Sequence, residues 1–269
     1  MPWTSEHLKW LIDTGNVITT ACGKQVKIFC FDYDLTDEDT LSKWAKHFRN
    51  HYCFDQDVDD LKSPSQTRSE YLLSTKFPGK TTRLGPSVRS GDFAEILVAD
   101  YLAYLRSYIV PRTRYDRKAV PDESTKGSDV LAFKIDPIDS TNDELLIYEV
   151  KAKLTGKPED KLQEAIDHSG KDELRLAESL HGIKQRMFDR NERTGMGMIT
   201  RFQDSVNKPY KKNFGAAAIC SDSAYDEATL ANASSSKHPH ASDLELIAFH
   251  GKELMKLAHM LYEVAANEI

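Results

Sequence analysis

The residues in this chain that point to chemistry are acids and one lysine: Glu95, Asp129 and the tripeptide Glu149-Val150-Lys151. Carboxylates brought together without a countercharge repel, and hard oxygen donors with room left for water suit Mg2+ or Mn2+. A lysine beside them can orient a nucleophile or steady charge developing on a phosphate. The tripeptide alone says little. A chain with 42 acids produces the pattern acid-x-Lys about three or four times by chance, and it recurs at Asp60-Leu61-Lys62 and Glu159-Asp160-Lys161. Context sets Glu149 apart from those two. There the motif closes an apolar run, Leu145-Leu146-Ile147-Tyr148, so strand alternation puts carboxylate and ammonium on one face and Val150 on the other.

The elements that must position these groups are legible in the middle of the chain. Ser90-Gly91-Asp92 opens a helix that runs from Phe93 to Arg106 with apolar residues almost all round, and Glu95 lies inside it. An ionised carboxylate is costly to bury in such a helix, so it needs a cation, a metal or an exposed edge. Three strand-like runs follow, Ser107 to Tyr115, Asp129 to Ile135 and Leu145 to Lys151, with turn chemistry in Asp136-Pro137-Ile138-Asp139-Ser140-Thr141-Asn142-Asp143. A turn centred near Ser140 pairs the last two runs antiparallel, with Asp129 opposite Glu149 or Lys151, and in either register all three side chains share a face. A metal site is the economical reading; the bland alternative pairs Glu95 with an arginine and Glu149 with Lys151.

Helical patterns occupy Asp160 to about Arg190 with a break near Ser169-Gly170. A strand follows at Phe214 to Cys220, then a Ser/Ala/Asn/His-rich segment, Ser221 to Ser242, expected as an exposed linker. A strand at Leu244 to Phe249 and an amphipathic helix carrying Leu254, Leu257, Leu261 and Val264 end the chain. Residues 1–86 are less legible: a strand at Val26 to Phe31 and a helix from Thr40 to Phe48 capped by Thr36-Asp37-Glu38-Asp39. The expectation is two parts, an N-terminal α+β extension over 1–86 and an α/β domain over 87–269, with helices flanking a mixed sheet.

At 269 residues and 40% apolar the chain can bury a substantial core. No apolar run approaches the length of a membrane span, and the first residues lack the order of a secretory signal, so a cytoplasmic protein is expected. Cys22, Cys30, Cys53 and Cys220 are too scattered for a zinc site or a disulfide framework and are expected as thiols. Ser74-Thr75-Lys76-Phe77-Pro78-Gly79-Lys80-Thr81 imitates a phosphate loop, but Gly85-Pro86 soon interrupts the helix it would need. His238-Pro239-His240 reads as a solvated loop. Serine-hydrolase and zinc-protease motifs are missing.

The net charge of −6 hides segregation. Acids crowd Asp32 to Asp60, whereas Arg112, Arg114, Arg117 and Lys118 face one acid, Asp116. That basic run is a candidate grip for a DNA backbone or, equally, a solvated strand edge.

The order helix-borne Glu95, Asp129, then Glu149-Val150-Lys151 resembles the PD-(D/E)XK nuclease superfamily, with its αβββαβ core. Arg89-Ser90-Gly91-Asp92-Phe93-Ala94-Glu95, Lys126-Gly127-Ser128-Asp129-Val130, Tyr148-Glu149-Val150-Lys151-Ala152-Lys153 and Lys161-Leu162-Gln163-Glu164-Ala165-Ile166-Asp167 are similar to the HamA family, the nuclease subunits of Hachiman anti-phage systems. The resemblance spans roughly 85–220, and Ser128 stands where the superfamily has Pro. It implies a bacterial Mg2+-dependent DNA endonuclease. Asp129, Glu149 and the Val150 carbonyl would hold Mg2+ or Mn2+, Lys151 would serve the nucleophile, and Glu95 would support the metal. Lys153 and Gln163 are further candidates for contact with DNA, Gln163 with an exposed helix glutamine as its plain alternative. The resemblance also implies a HamB-like superfamily 2 helicase as partner, for which the acidic 32–60 segment is the guessed surface. The competing reading is a non-catalytic adaptor that keeps the fold to bind DNA or the helicase.

Overall fold

A computed structural model describes residues 3–268, the side chains of 172–174 excepted. Among the described residues six strands form one mixed sheet in the order β1-β2-β6-β5-β4-β3. They are β1 (Leu11–Thr19), β2 (Gln25–Phe31), β3 (Val130–Lys134), β4 (Glu144–Lys153), β5 (Lys211–Ser221) and β6 (Leu244–Gly251). The β1–β2 and β3–β4 pairs are antiparallel, and β2, β6, β5 and β4 run parallel to one another. Helices cover each side, so β4, β5 and β6 are buried on both faces along most of their length, while Gln25 and Lys27 of β2 stay exposed.

One face carries α1 (Glu38–Asn50), α4 (Gly85–Asp100) and α9 (Leu254–Asn267) over Phe29, Leu146, Tyr148, Val150, Ile247 and Phe249. The other carries α5 (Lys161–Ser169), α6 (Asp172–Asp189), α7 (Arg193–Gln203) and α8 (Glu227–Asn232) over Ile28, Leu131, Phe133, Ile147, Ala216 and Ala218. Short helices α2 (Asp55–Leu61) and α3 (Arg68–Tyr71) join α1 to α4. Asp37 caps α1 by accepting from the Thr40 amide at 3.2 Å, and the break between α5 and α6 falls at Gly170. The last turn of α4 passes into a π-turn, Tyr101–Leu105.

The α/β class and the mixed sheet agree with the sequence reading, with three local differences. Ser107 to Tyr115 is not a strand; only Ile109 bridges to Phe133. Pro111 lacks a ladder donor, and Arg112 and Arg114 turn onto α4, so the segment is held by side chains rather than by a ladder. Ser221 to Ser242 is not an exposed linker: it contains α8 and buries Ala224, Leu230, Ala233, Ser235 and His238. Its small apolar residues cover the sheet, and the Ala21 amide donates to Ala233 O at 3.1 Å. Finally, β1 was not anticipated, because its alternation is broken by polar residues at a bulge between Asp13 and Val17. Residues 1–86 contribute β1 and β2 to the same sheet that the later strands complete.

Candidate active site

β3 and β4 pair Val130 with Tyr148 and Lys134 with Glu144. The register, carried one step further, sets Asp129 opposite Glu149, one of the two arrangements the turn chemistry allowed. Val150 packs in the α4 layer while Ile147 packs in the α5 layer, so Glu149 and Lys151 leave β4 on the α5 side. The Val150 amide donates to Asp129 Oδ2 at 2.9 Å, beyond the last β3 pair. Because a strand residue directs its N–H and C=O to one edge, the Val150 carbonyl faces that same end.

The three predicted acids are drawn into one electrostatic system by an arginine. Arg114 Nε donates to Glu95 Oε2 at 2.5 Å, its Nη2 to Asp129 Oδ1 at 2.8 Å, and its Nη1 to the Ser128 carbonyl at 2.6 Å. Tyr115 donates its hydroxyl to the same Glu95 oxygen. Glu149 pairs with Lys151 Nζ, with His168 Nδ1 3.4 Å away. Burial pushes Glu95 up to about 8 against the pull of Arg114, and burial with the Asp129 charge pushes Glu149 up to about 7 against Lys151. Burial alone would lower the Lys151 ammonium, but the Asp129 and Glu149 carboxylates outweigh it and raise it.

A groove of about 680 Å³ opens onto this cluster, lined among others by Ser87, Gly91, Glu95, Asp129, Lys151 and Lys161. No atom lies within 4 Å of where a side chain at Gly91 would begin, so α4 leaves the groove open there.

The candidate DNA contacts divide. Arg112 reaches Asp100 at 2.6 Å and Lys118 reaches Asp92 at 2.7 Å, both carboxylates buried; with Arg114 they form three rungs between the 110–118 segment and α4. Lys118 is buried and Arg112 and Arg114 are partly so; paired inward, these three are not disposed as a phosphate grip, because each inward carboxylate needs its cation. Arg117 is exposed and pairs with Asp189, Lys153 pairs with Glu159, and Gln163 exchanges hydrogen bonds with the Ser234 backbone.

A second polar cluster was not singled out in the sequence. His47, His51 and Asp100 have ligand atoms within 4.8 Å of one another, close enough to hold a metal ion. Their hydrogen bonds already join them to one another and to the surrounding chain, although Nδ1 of the neighbouring His7 is buried without a partner among the described residues. The Thr4 amide donates to His47 Nδ1 at 3.1 Å, so the proton of a neutral His47 sits on Nε2, 3.0 Å from Asp100. His51 Nε2 accepts from Arg112 at 2.8 Å, and His7 Nε2 lies 3.0 Å from Asp100. The signal for this cluster was only the His47/His51 spacing on one helix face. His238, read as solvated, is buried beside Ser169 Oγ at 3.2 Å, and His240 stacks on Phe214.

Comparison with known families adds one decisive observation: the profile of the HamA family matches residues 6–265. The chain belongs to the HamA family. It is thereby a protein of the Hachiman anti-phage defence type, and the match takes in the N-terminal strands and helix α1 as well as the acid cluster. A search of curated proteins found no match to the chain. Among the described residues no helix is long and apolar enough to cross a membrane.

Proposed function

We propose that this HamA-family chain is a metal-dependent DNA endonuclease of PD-(D/E)XK type, acting with a HamB-like superfamily 2 helicase. The observation that carries the reading is the pairing of β3 with β4, which opposes Asp129 to Glu149 with Lys151 on the same face at the end of a groove. The donor set suits Mg2+ or Mn2+: two carboxylates and a backbone carbonyl are hard oxygen ligands, and Glu149 is a buried acid whose charge Asp129 opposes and a divalent ion would relieve. Asp129, Glu149 and the Val150 carbonyl would hold the ion, with Glu95 in support. Such an ion lowers the pKa of a bound water and neutralises charge on a phosphate. Lys151, raised and paired with Glu149, stays cationic and orients the nucleophile or steadies the phosphorane charge.

The second reading, a non-catalytic adaptor, is favoured by one feature: Arg114 and Lys151 already neutralise these acids within the protein. Nicking of supercoiled plasmid with Mg2+ and with chelator separates the two. Lys151→Ala is expected to lower Mg2+-dependent cleavage at least about 100-fold while far-UV circular dichroism is unchanged. The fold survives because Glu149, with a pKa near 7, can take up a proton when its partner is lost. Undiminished cleavage by Lys151→Ala and Glu149→Ala would leave the adaptor reading.

A further inference from the structure

We infer that Arg114 is a resident counter-ion that occupies the charge position of the acid site, so that divalent-ion binding and the Arg114 contacts compete for Asp129 and Glu95. The inference rests on the metal-site reading above and adds a residue that controls it. Among the described residues Arg114 is the single cation whose hydrogen bonds join Glu95 on α4 to Asp129 just before β3, at 2.5 and 2.8 Å. Its third donor, to Ser128 O at 2.6 Å, ties it to the residue preceding Asp129. Glu95, Arg114 and Asp129 line both the open groove and a separate cavity of about 180 Å³ on the other side, so the guanidinium stands at the partition between the two spaces.

The flanking rungs make this a side-chain device rather than a moving loop. Arg112 on Asp100 and Lys118 on Asp92, both carboxylates buried, pin the backbone on either side of Arg114. The segment stays in place, and the cavity leaves room for the guanidinium to give up its contacts alone. Both Asp129 oxygens are already engaged, Oδ1 by Arg114 and Oδ2 by the Val150 amide, so a divalent ion that takes Oδ1 displaces the guanidinium contact, and the like charges add to that competition. A shorter, single-headed ammonium at 114 cannot bridge two carboxylates as the planar fork does.

Calorimetric titration of the metal-free full-length protein with Mn2+ tests this. Arg114→Gln is expected to bind at least about tenfold more tightly than the wild type, Arg114→Lys to fall between, and Asp129→Asn to abolish binding in each background. Equal affinity of wild type and Arg114→Gln, with binding still lost in Asp129→Asn, would overturn the inference and leave the nuclease reading standing. No Mn2+ binding by either protein would remove the metal-site reading itself and the inference with it. Should Arg114→Gln not fold, the wild type still decides: the Arg114 Nε–H resonance, distinctive through its bond to Glu95, is expected to shift as Mg2+ is added. Saturation with Mg2+ that leaves that resonance unmoved would overturn the inference.

Discussion

At the scale of single residues, three imidazoles, one carboxylate and one guanidinium share a buried network. Burial holds the His47 and His51 pKa values below the ordinary histidine value, with the Arg112 charge acting in the same direction, while the partners of Asp100 hold its carboxyl well down. The fold therefore needs both histidines neutral. The unfolded chain takes up protons on them below about pH 6.5 and the folded chain does so only lower, so between those values the unfolded state binds more protons. Their contribution is present above about pH 6.5 and is lost as the pH falls through their folded values. Glu95 and Glu149, raised to about 8 and about 7, act in the opposite sense over an overlapping range, since the folded state holds their protons longer. The measurement must therefore be a difference. His51→Gln keeps an acceptor for Arg112 and removes one titration, so the melting temperature of the wild type should fall relative to His51→Gln between pH 7 and pH 5. Each ~1 kcal/mol shifts Tm by about 2–4 °C; parallel curves would refute the network's role.

At the scale of elements, the register of β4 delivers the site, and one glycine on its neighbour permits it. Gly215 of β5 lies opposite Tyr148, and a side chain there would begin 2.2 Å from the Tyr148 ring. Gly215→Ala is expected to cost about 1–3 kcal/mol through overpacking, read as a lower Tm, and, on the proposed nuclease function, to reduce cleavage by tilting β4 next to Glu149. What the sequence disclosed at this scale follows from where local signals suffice. Leu145 to Tyr148 is apolar throughout because it is buried on both faces, and the Asp136-to-Asp143 turn sets a register that places Asp129 against Glu149. Ser107 to Tyr115 has strand propensity in Tyr108, Ile109 and Val110, yet the segment's partners are acids on α4, the helix that precedes it. Arg112, Arg114 and Lys118 read as an exposed basic run for the same reason: Asp92, Glu95 and Asp100 lie on different helical positions, and nothing local announces that all three meet one segment. The Ser221-to-Ser242 stretch reads as solvated because most of its buried residues, Ser221, Ala224, Ala233 and Ser235, are small, and small residues carry little hydropathy while packing closely.

At the scale of the whole molecule, the first 86 residues are bound into the fold by both layers of interaction, apolar and polar. Strand β2 lies between β1 and β6, and Trp44, Phe48 and Tyr52 are buried in the layer that α9 completes. Arg49 donates to the Ala265 carbonyl at 2.7 Å, the Tyr52 hydroxyl contacts Asp92 and Tyr262 at 2.7 and 2.6 Å, and His7 and His47 supply two of the partners of Asp100. Of the nine acids between Asp32 and Asp60, the segment expected as a surface for a basic partner, four are met by this chain's own bases: Asp37 by Lys9, Asp39 by Lys43, Asp55 by Arg49 and Asp59 by Arg68. A chain reduced to residues 87–269 would expose the β6 edge and the apolar side of α9, and it would leave Asp100 buried with Arg112 as its remaining partner. Losing partners of a buried charge costs about 3–5 kcal/mol, a large part of the ~5–15 kcal/mol by which domains are stable. The truncated chain is therefore expected to show no cooperative thermal transition and to bind a hydrophobic dye. A sharp melt with native-like near-UV circular dichroism would instead establish that α4, β3 to β6 and α9 stand alone, and that the N-terminal strands are an addition the acid site does not need.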